Sequence, residues 1–165
     1  MHSVEQAVHF LEKYNLVLST AESSTAGLLA STVAAVPGCD GVLESGFVVY
    51  SKRAMHACLG VDLRTIESFG MNSEEVAREM ALGVLVASSA DIILAITGAN
   101  SADEQASEQS LEGTMCFACA TRLDEHRGVT SETVSFTGDD NDRRHAAVRH
   151  ALLQLPYYYE RLRQT

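Results

Sequence analysis

Ser23, Ser24 and Thr25 stand together in the stretch Ala21-Glu22-Ser23-Ser24-Thr25-Ala26-Gly27, after a short β-like run and ahead of an apolar helix-like one. At a strand-to-helix turn, unpaired backbone amides and the positive helix end stabilise anions, including an oxyanion. A hydroxyl there can attack a carbonyl if a base takes its proton. The same three residues also suit plain helix capping, so spacing leaves both readings open. Thr97-Gly98 closes the most apolar strand-like run, at the kind of strand end where open α/β sheets bind ligands; a simple turn is the competing reading. Gly113-Thr114 can bring a second small pair to the same mouth or merely begin a strand, and Tyr50-Ser51 ends another strand-like run. Arg143 and Arg144 begin the last helix-like run, where an arginine pair clamps phosphate or pairs with nearby acids.

The elements that must position these residues follow from periodicity. Val4 to Tyr14 has helical spacing with Ser3 as N-cap. Leu16 to Thr20 reads as a strand, Thr25 to Val36 as a helix stopped by Pro37-Gly38, and Val42 to Tyr50 as a second strand. Helical spacing returns over Ser51 to Leu59 and Leu63 to Phe69. Asn72 or Ser73 then caps a long helix reaching about Ser88. Asp91 to Thr97 is almost wholly apolar, which marks a strand covered on both faces. Ala99 to Glu112 reads as a polar acidic loop, Gly113 to Arg122 and Thr130 to Phe136 as strands, and Asp142 to Arg163 as a helix broken or bent near Pro156. This order predicts an α/β protein: a three-layer α/β/α sandwich around a mixed, largely parallel sheet, with residues 1–165 forming a single domain.

Composition narrows the function. At 165 residues and 46% hydrophobic, the chain can bury one sizeable core. A net charge of −10, from 22 acidic and 12 basic residues without a basic cluster, argues against nucleic acid as a partner. A small anion remains accessible to a few amides and one arginine. No apolar run reaches the roughly 20 residues that span a bilayer, and no basic-then-apolar leader opens the chain, so a cytoplasmic protein without membrane contact is expected. Cys116 and Cys119 have redox or zinc spacing, but inside a strand-like run a separation of three puts their sulfurs on opposite faces. Buried structural thiols are expected. His145 and His150, five apart on a helix, do not make a metal site, and none is expected.

Taken in order, Leu18-Ser19-Thr20-Ala21-Glu22-Ser23-Ser24-Thr25-Ala26-Gly27, Val36-Pro37-Gly38, Gly46-Phe47-Val48-Val49-Tyr50-Ser51, Leu59-Gly60-Val61, Asn72 to Ala77, Ala90 to Gly98, Gly113-Thr114 and Phe136 to Asp139 resemble the CinA C-terminal domain family. Its characterised members are nicotinamide-nucleotide amidases. The resemblance covers roughly residues 4 to 155 and implies an α/β/α domain that hydrolyses the carboxamide of nicotinamide mononucleotide without any cofactor. It places the nucleophile of the family's AES-x-TGG stretch on Ser23 and implies Tyr50 as a second catalytic residue. Ser24, Thr25, Gly27, Ser51, Thr97, Gly98, Thr114 and Arg144 are the implied substrate contacts.

Three departures qualify the activity. The lysine of the family's YSN-x-x-K stretch falls on Met55, whose thioether accepts no proton at neutral pH. Lys52, one turn earlier, is the nearest replacement. The family's I-A-G-P-G-G continuation after Thr-Gly is replaced by Ala99 to Glu104, where carboxylates repel an anion that glycine amides would hold. The first motif carries Ala26 for glycine and Ser24 for cysteine, and the arginine of G-D-R is Asp140, leaving Arg144 as the nearest match. The expectation is a nucleotide-site protein with weak or lost amidase activity. The alternatives are a working amidase with a substitute base, or a non-catalytic paralogue binding a nucleotide or a protein. Leu155-Pro156-Tyr157-Tyr158-Tyr159 serves either an isologous contact between copies or closure of the chain's own core.

Overall fold

The computed structural model describes residues 3–98, 113–123 and 126–164. Five strands form one sheet in the order β2-β1-β3-β4-β5: β1 (Leu18–Glu22), β2 (Leu43–Val48), β3 (Ile92–Gly98), β4 (Thr114–Leu123) and β5 (His126–Ser135). β1 pairs in parallel with both β2 and β3, whereas β4 is antiparallel to both β3 and β5. Four strands therefore point one way and β4 the other. Strand β3 is buried over its whole length, as an apolar run in a covered central strand must be.

Alternation of side chains divides the core into two halves. Leu18, Ile92, Leu94, Ile96, Phe117 and Cys119 face α1 (Ser3–Lys13), α2 (Leu28–Ala34) and α6 (Asp140–Arg163). Ala21, Ile93, Ala95, Cys116 and Ala118 face α3 (Lys52–Leu59), α4 (Leu63–Phe69) and α5 (Glu74–Ala87). Cys116 and Cys119 thus lie on opposite faces, and both are buried free thiols. Tyr158 and Tyr159 close the chain's own core, while Tyr157 is exposed.

Several boundaries differ from the sequence expectation, each for a local reason. β1 runs on through Ala21 and Glu22, so the motif bearing the serines begins as strand. α2 starts at Leu28 rather than Thr25, because Ala26 and Gly27 both take left-handed backbone, at φ 51° and 99°, which a right-handed helix cannot include. β2 stops at Val48, two residues before Tyr50. β5 begins four residues early, at His126, through its hairpin register with β4. α6 begins at Asp140, where Asp139 and Asp142 form a reciprocal capping box, and continues through Pro156 as one helix to Arg163. The acidic stretch expected to be a loop, Ala99 to Glu112, lies outside the described residues.

Candidate active site

Strand order reverses between β1 and β3: the chain leaves β1 towards β2, then returns across it to β3. The ends of β1 and β3 are therefore splayed at a topological switch point, where crevices form in open α/β sheets. Ser23 follows β1 directly and extends its ladder by one bond, its amide donating to the Ile96 carbonyl at 3.1 Å. By strand alternation it continues the Ala21 face, the one covered by α3 and α5. Ser23, Ser24 and Thr25 are all buried.

The organiser of this turn is Glu22, which is fully buried. One carboxylate oxygen accepts from the Thr25 hydroxyl at 2.6 Å and the Leu29 amide at 2.8 Å, and the other accepts from the Ala30 amide at 3.1 Å. These amides belong to the first turn of α2, whose N-cap Gly27 has no side chain to offer. Glu22 therefore caps the helix from the preceding strand. Neither Ser23, Ser24 nor Thr25 does so directly. The amides of Leu29 and Ala30 are consequently occupied and closed to an oxyanion. The amides of Ser24, Thr25 and Gly27 donate to no acceptor among the described residues and are the donors that remain.

Ser24 points the other way, into a cleft shared with Gly113, Thr114, Met115, Asp140, Arg143 and Arg144. Its hydroxyl is buried without a hydrogen-bond partner among the described residues, as is Arg144 Nε. A Cβ on Gly98 would lie 3.0 Å from Ser24 Oγ and 2.9 Å from Met115 Cε, so glycine is what lets these groups converge. Arg143 lies 3.7 Å from the Asp140 carboxylate, which takes part of its charge. Thr114 borders the cleft, and its carbonyl accepts from Asn72 at 2.8 Å. Thr97 is fully buried and donates its hydroxyl to the Met71 carbonyl at 2.7 Å, tying β3 to the approach to α5. Ser51 caps α3 by accepting from the Ala54 amide, and Tyr50 beside it is half exposed. Of the sequence candidates, Ser24, Gly98, Thr114 and Arg144 thus meet at the end of the sheet that carries the Ser23–Gly27 turn, whereas the Thr97 and Ser51 hydroxyls are engaged in holding the fold.

No described side chain hydrogen-bonds to the Ser23 hydroxyl. Met55 is fully buried in the α3–α5 core half with Leu59, Ile66, Val76 and Met80. Lys52 is exposed at the start of α3.

The sequence profile of the CinA C-terminal domain matches residues 2–158. The chain belongs to the CinA C-terminal domain family. It is 38% identical over 157 residues to a CinA-like protein of Chlorobaculum tepidum, covering 92% of this chain and 37% of that protein. It therefore spans little more than a third of the length of such curated CinA-like relatives. It is also 38% identical over 122 residues to a nicotinamide-nucleotide amidohydrolase of Enterobacter agglomerans, covering 74% of this chain and 72% of the relative. A crystal structure of a competence-damaged protein (CinA) superfamily protein from Escherichia coli superposes with a TM-score of 0.83 at 32% identity, covering 93% of this chain and 87% of that one. Within this CinA domain, Glu22 is the organiser of the serine turn that reasoning from hydroxyl spacing passed over. The signal that could have found it was a carboxylate directly ahead of three hydroxyls and a glycine, with no acid in the first turn of α2.

Proposed function

We propose that this CinA-family chain binds a pyridine nucleotide of the nicotinamide mononucleotide type at the turn after β1, and hydrolyses its carboxamide weakly or not at all. The observation that carries the second half is Ser23: a buried residue beside turn amides that donate to no acceptor among the described residues, with no described nitrogen base bonded to its hydroxyl and a fully buried thioether at position 55. Removing a general base commonly lowers a rate by about 10²–10⁴-fold. Support for the ligand comes from the amidohydrolase relative and from the Ser24 hydroxyl and Arg144 Nε, buried donors that lack partners among the described residues and that a phosphate oxygen would satisfy. Ser23 is the nucleophile in this reading, with Tyr50, Thr25, Gly27 and Thr114 at the ligand's edges. The proposal includes a cytoplasmic location, no cofactor, and association of copies through the exposed Tyr157.

Incubating the purified chain with nicotinamide mononucleotide while following ammonia and thermal stability tests both halves. Ligand-dependent stabilisation with release no faster than in a Ser23→Ala control is expected. Rapid Ser23-dependent release would show a substitute base at work, and an unchanged melting temperature at millimolar ligand would remove the nucleotide reading.

A further inference from the structure

Ser23 is only 3% exposed, so a ligand reaches its hydroxyl only when something around it moves. Its neighbour across the sheet is Thr97: Glu22 pairs with Ile96, and the Ser23 amide carries the ladder one bond further, to the Ile96 carbonyl. Ala21 and Ala95, one pair of the same parity back, both face α5, so Ser23 and Thr97 continue that face. Adjacent strands lie about 4.8 Å apart. The Thr97 hydroxyl donates to the Met71 carbonyl at 2.7 Å, so the backbone at Met71 sits over the strand position next to Ser23.

Met71 belongs to the link between α4 and α5. Gly70 ends α4 at φ 86° and ψ 162°, backbone that is essentially reserved for glycine, and Ser73 caps α5. Between these ends two side-chain bonds join the link to the sheet: the one from Thr97, and one from Asn72 Nδ2 to the Thr114 carbonyl at 2.8 Å. The closed position leaves a cost unmet, because Asn72 Oδ1 is buried without a partner among the described residues and opening would hydrate it. There is also room to open. An open cavity of about 320 Å³ is bordered by Asn72 and Ser73, the first turns of α5, and the strand residues Thr114, Cys116 and Thr133.

We propose that Gly70–Ser73 is a strap beside Ser23, hinged at Gly70 and latched by Thr97 and Asn72, which swings into this cavity to admit a ligand. The strap governs access whichever ligand the turn takes, so the nucleotide reading can fail without it.

The test places a reporter thiol at position 23. Ser23→Cys, in a full chain whose exposed native thiol is removed by Cys58→Ser, is labelled with iodoacetamide at several urea concentrations below the unfolding transition, and each site is read by mass spectrometry. Cys119, fully buried in the other half of the core, reports global unfolding. Labelling at position 23 is expected to outpace that of Cys119 and to change little with urea, because a local opening exposes little surface, whereas Cys119 should follow the steep dependence of unfolding the whole chain. Thr97→Val removes one latch bond and is expected to speed labelling at position 23 about fivefold. Gly70→Ala strains the closed hinge without touching the latch and is expected to act in the same direction. Labelling at position 23 that tracks Cys119 in rate and urea dependence, that is as fast as in unfolded protein, or that is unchanged in either folded variant overturns the proposal.

Discussion

Putting the family's amine back at position 55 asks whether this core still has room for it. Met55 is 0% exposed, in an apolar cluster with Leu59, Ile66, Val76 and Met80. Burial of that kind lowers a lysine pKa by about 3–5 units, and each unit corresponds to about 1.4 kcal/mol. Met55→Lys is therefore expected to lower stability at pH 7 by roughly 4–5 kcal/mol, the unfolded value lying only about 3.4 units above that pH, against a total of about 5–15 kcal/mol for an ordinary domain. The sign follows from linkage. The unfolded amine titrates near 10.4 and the folded one far below, so the loss is complete below the folded pKa, shrinks as pH rises and vanishes above the unfolded value.

Urea unfolding of Met55→Lys and the native chain at intervals from pH 7 to pH 10 measures this directly. The gap between the two should close towards the alkaline end, while Met55→Leu should stay within about 1.5 kcal/mol of the native chain throughout. Where the variant is folded with a neutral amine, ammonia release from nicotinamide mononucleotide should appear and should vanish on adding Ser23→Ala. A gap that stays constant across that pH range would mean the amine keeps its charge at position 55. The site would then be open to water or to a counter-charge, and the reasoning about a sealed thioether would fail.

Ala26 holds left-handed backbone at φ 51°, which costs an alanine roughly 1–2 kcal/mol, while the greater unfolded freedom of glycine returns about 0.4–1 kcal/mol. Ala26→Gly should thus raise stability by about 0.5–1 kcal/mol and the melting temperature by about 2–3 °C; a fall of similar size, as glycine causes at ordinary positions, would contradict the strain. Burial pushes the Cys116 thiol up to about 11 and raises that of Cys119 as well, Cys39 is also buried, and Cys58 is exposed. A thiol reagent at mildly alkaline pH should label one cysteine quickly in folded protein and all four after denaturation, and a second fast site would count against the packing. Burial opposes the charge on Glu74, but the hydroxyls of Thr133 and Ser131 and the Arg78 cation outweigh it and hold that carboxyl below its ordinary value of 4.5. A depressed folded value stabilises above the unfolded one and is lost as pH falls through it, so Thr133→Val with Ser131→Ala should flatten the acid limb of the stability curve between about pH 5 and pH 3. An unchanged acid limb would show that these hydroxyls do not tune Glu74.

Much of the scaffold was legible because its signals are local. Seven consecutive residues from Ile92 to Gly98 are buried, and a run that apolar can only be a covered strand. Period-two alternation alone placed Cys116 and Cys119 in different halves of the core. The start of α2 was not legible, since helix-start rules look for a cap next to the first turn and the cap here reaches over from Glu22, seven and eight residues before the amides it accepts. The same distance hid the consequence for chemistry. With Leu29 and Ala30 occupied, the helix mouth is closed to an oxyanion, and the turn before it is where amides lack acceptors among the described residues.

Folding and catalysis ask opposite things of position 55. In a cluster walled by α3, α4 and α5, a thioether fills space without desolvating a charge, whereas an amine becomes a useful base only because the same desolvation drives off its proton. On the proposed reading, the side chain that fills this core is also one that offers Ser23 no proton acceptor, and composition does not separate the two until the burial of Met55 is known. The Glu22 clamp has no such conflict: it caps α2 and holds the serine turn whether or not a base is present. If the proposed reading holds, Met55→Lys tests the conflict at position 55 and leaves the clamp untouched, because the Glu22 hydrogen bonds lie on the other side of the sheet from the Met55 cluster.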